Sequence, residues 1–175
     1  MTTQELFKLA DECKKNEEDK RLFSLEADAE AMLNEEKLKQ LHQILGGTGE
    51  YRKNQLKIEP IGITPPEASE LNRLMGHFIS QLQISKKMFH PIEYAAICHK
   101  RILELYPFED KNEEVAFLVL NLLLKQAGYK AISINEVEKV QYIELLRVAQ
   151  HPSHPNIDGF ITFIAQCVVK ALKSL

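Results

Sequence analysis

Apolar side chains recur every three to four residues along most of this chain, and this spacing constrains the fold more than any other sequence feature. One face of an α-helix repeats every 3.6 residues, so the pattern predicts helices that each bury one face. The run over residues 115–124 is apolar on almost every side and predicts a buried central helix. We therefore expect an all-α fold of six or more helices.

Prolines, glycines and capping residues mark the expected helix ends. Gly46 and Gly47 stop the first long helical pattern, and Pro91 opens a later one. Asn112 is the expected N-cap of the central helix, and Asn135 with Glu138 has the spacing of a capping box. The expected helices cover about residues 25–45, 65–85, 91–106, 113–126, 135–150 and 156–172.

Residues 48–64 break the helical pattern. Their apolar residues alternate on either side of Pro60 and Gly62, which is typical of short β-strands joined by a turn. We expect a small β-hairpin flap near residues 55–63, with its turn at residues 59–62. A hairpin of this size is expected to lie over the helices as a flap and not to form a sheet.

Composition excludes several classes of function. The 175 residues suit one domain, and 22 basic against 25 acidic residues leave a net charge of −3. No bulk positive field is available for a nucleic-acid backbone, so no nucleic-acid partner is expected. The longest apolar run is about half the length of a membrane span, and the first twenty residues lack the apolar stretch of a secretory signal. The three widely spaced cysteines suit a reducing compartment, so we expect a cytoplasmic protein with no membrane partner.

Residues 90–129 carry the most informative pattern: a helix, a short polar loop and the long apolar helix. The stretch YPFEDKNEEVAF at residues 106–117 resembles the signature of the Fic/Doc family, His-Pro-Phe-x-Asp/Glu-Gly-Asn-Gly-Arg-x-x-Arg. ILGGTGEYRKNQLKI resembles the family's lead-in and target-docking flap, and HPIEYAAICHKRI resembles its helix before the motif. The likeness covers about residues 40–172. It implies a Fic-like domain over residues 40–175, preceded by an N-terminal helical extension over residues 1–39.

The resemblance also implies roles for individual residues. Family members typically transfer AMP, or another phosphate-containing group, from a nucleotide to a hydroxyl of a target protein. Asp110 stands at the position of the metal-binding carboxylate, which would hold Mg if a nucleotide binds. Asn112 stands where the family's asparagine contacts phosphate, and Pro107 and Phe108 match its packing residues.

The residues that differ from the signature are those that the family uses for proton removal and phosphate binding. Tyr106 replaces the histidine base, and a phenol with a pKa of about 10 is protonated at neutral pH. Lys111 and Glu113 replace two glycines, so side chains stand where backbone should approach phosphate and left-handed dihedrals become harder to adopt. Glu114 and Phe117 replace two arginines. Two carboxylates, those of Glu113 and Glu114, therefore stand at a helix N-terminus where the family binds an anion.

Two functions remain open. In the first, the domain is a pseudoenzyme without a cofactor that keeps a protein-binding or regulatory role through the flap. The flap residues that would contact a partner are Leu56, Lys57, Ile58, Ile61, Gly62 and Ile63. In the alternative, the domain is an adenylyltransferase or related transferase that uses ATP and Mg, with Asp110 on the metal and Lys111 on phosphate. Glu113 and Glu114 are also explained without ligands, because acidic residues stabilise the first turn of a helix.

Overall fold

The computed structural model describes residues 1–15, 32–56 and 64–174, and all the regular structure in these residues is helical. The α-helices are α1 (Thr3–Lys15), α2 (Glu35–Ile44), α3 (Leu71–Met88), α4 (Pro91–Leu105), α5 (Asn112–Gln126), α6 (Glu136–Ala149) and α7 (Asp158–Lys173). A single 3₁₀ turn, Ala68–Glu70, leads directly into α3. The expected all-α class is confirmed.

Helix α5 lies at the centre of the core. It packs along α4, and α4 in turn packs against α7. Val115, Leu120 and Leu124 of α5 are fully buried, as the apolar run predicted. Full burial of such a side chain contributes about 1.5 to 3 kcal/mol relative to its exposure in water. The core therefore fixes α5 and the loop that precedes it.

Helix α1 belongs to the same helical bundle. It packs along α7, and its Asp11 accepts a hydrogen bond from the Tyr129 hydroxyl. Asp11 also contacts His90 Nε2 at 3.1 Å, and the ring of Phe7 stacks on His90 with centroids 4.1 Å apart. The boundary expected between residues 39 and 40 stays a prediction.

Local capping signals place several helix ends as expected, and three starts differ. Helix α3 begins at Leu71, after the 3₁₀ turn, and not near residue 65. Asn135 and Glu138 form the expected capping box at the start of α6. Helix α2, however, begins only at Glu35, because the extended Asn34 caps it by accepting the Lys37 N–H at 2.7 Å. Asn112 is not the cap of α5: it is the first residue of that helix, and Lys111 occupies the N-cap position.

The expected hairpin is not found in the residues that the structure describes. Gln55 and Leu56 are not in a strand, and residues 32–56 and 64–174 contain none. Backbone groups here bond elsewhere, since the Arg52 N–H donates to the Pro107 carbonyl at 2.8 Å instead of to a neighbouring strand. The remaining flap residues, Lys57, Ile58, Ile61, Gly62 and Ile63, lie outside the described residues. Of the helices described, none is long and apolar enough to cross a bilayer.

Candidate functional site

The loop that joins α4 to α5, residues 106–111, is called the motif loop below. It begins and ends with left-handed residues, Tyr106 at φ 46° and ψ 60°, and Lys111 at φ 60° and ψ 22°. For a residue with a Cβ, this conformation costs roughly 1 to 2 kcal/mol. Lys111 was expected to make a left-handed backbone harder to adopt at this position, yet the residue adopts it. Contacts around the loop impose the conformation in spite of the side chain.

Asn112 closes the motif loop on itself. Its side chain is fully buried, its Oδ1 accepts the Phe108 N–H at 2.9 Å, and its Nδ2 donates to the Phe108 carbonyl at 2.8 Å. Both polar atoms of the amide are therefore committed to the loop backbone. This pairing is also the reason that Asn112 cannot cap α5 with its side chain.

Arg52 holds the other end of the motif loop. Its guanidinium is buried, and its Nε donates to the Tyr106 carbonyl at 2.7 Å. Its Nη2 donates to the carbonyl oxygens of Pro66 and, at 3.4 Å, Leu105. Carbonyls at the end of α4 carry partial negative charge, which favours a cation there. Burial lowers the pKa of Arg52, but a guanidinium stays charged at any ordinary pH.

His42 of α2 holds the Asp110 carboxylate. The buried His42 ring accepts the Gly49 N–H on Nδ1 at 3.0 Å, so the proton of the neutral ring is on Nε2. That Nε2 donates to Asp110 Oδ1 at 3.0 Å, and the ring stacks on Phe108 with centroids 4.0 Å apart. A side chain at Gly47 would overlap the His42 ring, so the close approach requires glycine. Asp110 remains 60% exposed, with its Oδ2 3.8 Å from Lys111 Nζ.

Tyr106 points its hydroxyl at the start of α5. The hydroxyl donates to Glu113 Oε1, and Glu113 lies in the first turn of that helix. Partial burial of Tyr106, together with its hydrogen bond to Glu113 and the charges of Glu113 and Glu114, raises the pKa of the phenol above its usual value. The phenol at this position is therefore protonated and already has an acceptor.

The first turn of α5 combines free backbone donors with negative side chains. Val115 N–H makes the first helical bond, to the Lys111 carbonyl at 2.9 Å, so the N–H groups of residues 112–114 have no acceptor within the helix. The exposed carboxylates of Glu113 and Glu114 flank these donors. They complement the helix dipole and repel an anionic ligand at the same place.

Phe117 lies one turn further along α5 and packs against a buried histidine. Its ring meets His99 edge-on at 6.2 Å. His99 Nδ1 donates to the Ala116 carbonyl at 2.8 Å, so its Nε2 accepts the Tyr142 hydroxyl at 2.6 Å. Burial lowers the pKa of His99 to about 4, and the ring is neutral at ordinary pH. His99 therefore fixes α5 to α4 and α6.

The structure brings together all of the motif positions that the sequence singled out. Tyr106, Phe108, Asp110 and Lys111 lie in the loop, while Asn112, Glu113, Glu114 and Phe117 follow on α5. Sequence reasoning missed His42 and Arg52, although both lie near Gly46 and Gly47, where the helical pattern stops. Within the described residues, no three His, Cys, Asp or Glu side chains are placed to hold a metal ion together.

Residues 32–124 of this chain match the model of the Fic/DOC family. The chain is 35% identical over 125 residues to protein adenylyltransferase Fic of Aedes aegypti, covering 71% of this chain and 24% of that relative. It is 34% identical over the same length to protein adenylyltransferase Fic of Drosophila melanogaster. The chain thus spans about a quarter of the length of these curated relatives.

Solved structures resemble the fold over nearly the whole chain. A Fic-domain signalling protein from Bacteroides thetaiotaomicron aligns with a TM-score of 0.68 at 22% identity, over 97% of this chain and 69% of its own. Fic-1 from C. elegans aligns with a TM-score of 0.69 at 20% identity, over 96% of this chain and 48% of its own. With the matched motif loop and the helices that frame it, these findings lead to one conclusion: this chain belongs to the Fic/DOC family.

Proposed function

We propose that this domain is a Fic-family pseudoenzyme, which has lost group transfer and keeps a protein-binding or regulatory role. The observation that carries the proposal is the hydrogen bond from the Tyr106 hydroxyl to Glu113 at the start of α5. Tyr106 thus places a proton donor where the family has a base. Glu113 places a carboxylate where the family has a glycine. Three steps lead from this contact to the proposal: the missing base, the altered anion site and the retained loop frame.

The base is the first step. A group that takes a proton from a target hydroxyl must be unprotonated and within hydrogen-bond reach of it. Tyr106 is protonated, and its pKa is raised by burial and by Glu113. His42 cannot substitute, because its ring is buried and both of its nitrogens are used. His99 is likewise buried and bonded at both nitrogens.

The anion site is the second step, and its residues do not fit the phosphates of ATP. Nucleotide phosphates need cations and backbone N–H groups at the helix N-terminus. Here the first turn of α5 carries Glu113 and Glu114, and Phe117 adds no charge. Lys111 is the nearby cation, and its ammonium already lies beside Asp110. Asp110 alone offers one carboxylate, so we derive no step through ATP or Mg.

The retained frame is the third step. Arg52 and Asn112 still hold the loop backbone, and His42 holds the Asp110 side chain, although the reactive groups have changed. On one side of residues 57–63, the Arg52 N–H bonds the Pro107 carbonyl of the motif loop. On the other side, the Pro66 carbonyl accepts from the Arg52 guanidinium. Leu56 and Thr64 line one cavity of about 510 Å³ beside Arg52. These contacts support a protein partner docking along residues 56–63, with recognition that requires no catalytic group.

The second candidate is a protein adenylyltransferase with an altered motif. It is favoured by the relatives that carry that name, and by Asp110, whose second oxygen is held near the surface by the His42 contact. In that case the left-handed Lys111 would keep the loop open to phosphate. The two candidates differ in one measurable property, which is transfer of label from a nucleotide.

A transfer assay tests the proposal. The chain is incubated with radiolabelled ATP, Mg and a cell lysate, and Asp110→Ala and Lys87→Glu variants are run beside it. Asp110 lies in the motif loop, whereas Lys87 is an exposed residue of α3 distant in sequence. We expect no labelled protein above background with any of the three. Label that persists with Lys87→Glu and disappears with Asp110→Ala would support the adenylyltransferase instead.

A further inference from the structure

Helix α6 presents an exposed apolar stripe outside the motif site. Val137, Val140 and Val148 are 84%, 68% and 49% exposed. At 100° per residue all three fall on the side of α6 that faces away from Leu146 and Ala149, which are buried. Single exposed valines are ordinary, but three aligned on one helix form a surface that another helix can cover.

The charges beside the stripe decide which helix fits. Glu136 stands at the first turn of α6 and Arg147 at the last, and both are exposed on the same side of the valines. They lie equally far from the point between residues 141 and 142, which is one residue before the midpoint of the helix. A second α6 in antiparallel orientation would place each Glu136 beside the Arg147 of the other copy. In a parallel pair the second Glu136 would lie at the same height on the opposite flank of the stripe, so neither Glu136 nor Arg147 would gain an opposite charge.

The apolar contacts agree with the same axis. With the two-fold axis between residues 141 and 142, the two Val140 side chains lie next to each other near the axis. Val137 of one copy comes within about two residues of Val148 of the other, which is about 3 Å along the helix. The one negative charge on the stripe, Glu144, is already neutralised by Arg147 Nη1 at 3.0 Å. The guanidinium has five donors, so it can contact Glu136 of the second copy as well.

We propose that α6 is a self-association surface, on which two copies of this chain pack through antiparallel α6 helices about a two-fold axis. The partner is a second copy, because the surface is complementary to itself in both charge and apolar pattern. Helix α6 has 14 residues and is about 21 Å long, so the interface is smaller than the roughly 800 Å² per partner of a stable complex. We therefore expect weak association, with a dissociation constant on the order of 100 µM.

Sedimentation of the full chain from about 10 µM to about 1 mM tests the surface. The expected result is a monomer at the low end and a growing dimer fraction at the high end. Val140→Glu should abolish the dimer, because it places two carboxylates near the axis. Lys87→Glu, an exposed charge change on α3, should leave the dimer unchanged. A chain that stays monomeric throughout, or a dimer insensitive to Val140→Glu, overturns the proposal.

A charge exchange tests the orientation. Glu136→Arg alone and Arg147→Glu alone should each weaken self-association about tenfold, since each substitution acts twice in a symmetric pair. An equimolar mixture of the two variants should recover the wild-type dimer fraction, because every contact then pairs opposite charges. A mixture that associates no better than either variant alone contradicts the antiparallel arrangement. All three substituted side chains are exposed, and circular dichroism checks that the fold is unchanged.

Discussion

The side chain of Asn112 pairs with both backbone groups of Phe108, at 2.9 and 2.8 Å, and so closes the motif loop in front of α5. Asn112, which this chain shares with the family signature, therefore holds the loop together without a bound phosphate. A carboxamide donates from its nitrogen and accepts on its oxygen, so one side chain can pair with both backbone groups of a residue. The pair explains how the loop keeps its shape after the reactive groups around it have changed.

Asn112→Ala should destabilise the fold by about 2 to 4 kcal/mol, because it leaves two buried backbone groups of Phe108 unpaired. It should also speed amide exchange at Phe108. Asn121 is the matched control, since its amide makes the same two bonds to Ile132, at 2.8 and 3.1 Å. Asn121→Ala should lower stability while leaving exchange at Phe108 slow. Equal exchange at Phe108 in the two variants would contradict the local role of Asn112.

Lys111→Gly should stabilise the domain by about 0.5 to 1 kcal/mol, because glycine adopts the left-handed backbone of this residue without a Cβ clash. The exposed contact with Asp110 that is lost is worth little. Denaturant unfolding of the variant and the wild type measures the change. Lys125→Gly, in the last turn of α5, should instead cost about 1 kcal/mol. Destabilisation by Lys111→Gly would show that the lysine side chain itself holds the loop.

His42→Phe should loosen Asp110 while it keeps the stack on Phe108. The phenyl ring has no acceptor for the buried Gly49 N–H and no donor for Asp110, so a loss of about 2 kcal/mol is expected. His42→Gln restores one donor and should recover part of that stability. Chemical denaturation compares the two variants. A His42→Phe variant as stable as the wild type would mean that ring packing alone accounts for His42.

Stability should fall as the pH drops from about 6.5 towards 4, because His99 is neutral in the fold and protonated in the unfolded chain over that range. Its pKa is lowered by burial to about 4, against about 6.5 when unfolded. The unfolded state therefore binds the extra proton, and up to about 3 kcal/mol is lost. Urea unfolding at several pH values of the wild type, His99→Gln and exposed His77→Gln measures this. Of these three proteins, only His99→Gln should lose less stability as the pH drops. An equally large loss in His99→Gln would show that other groups take up the protons.

The helices could be predicted from the sequence because their signals are local. The apolar spacing of α5 and the capping box at Asn135 both involve residues close in the chain. The hairpin expectation rested on a short alternation of apolar residues, which distinguishes a strand from irregular chain poorly. The described part of that segment instead bonds the motif loop through Arg52.

The frame of the site could not be predicted in the same way. His42 is 68 residues from Asp110, and Arg52 is 54 residues from Tyr106. Contacts over such separations have no spacing that the sequence displays. The left-handed backbone of Lys111 was not predicted for a related reason: local preference is overruled when tertiary contacts determine the backbone. The substitutions at Tyr106, Glu113, Glu114 and Phe117 could be identified because each stands at a fixed motif position.

Isothermal titration with ATP and Mg tests the central claim most directly: the loop frame is intact and only the anion-binding groups are missing. The wild-type chain should give no heat at millimolar nucleotide. The fourfold variant Lys111→Gly, Glu113→Gly, Glu114→Arg and Phe117→Arg should bind, because it removes two carboxylates from the N-terminus of α5 and adds two guanidiniums. Adding Tyr106→His should then be needed before any transfer occurs. Micromolar binding by the wild type, or a fourfold variant that is folded by circular dichroism and binds no nucleotide, would contradict the account.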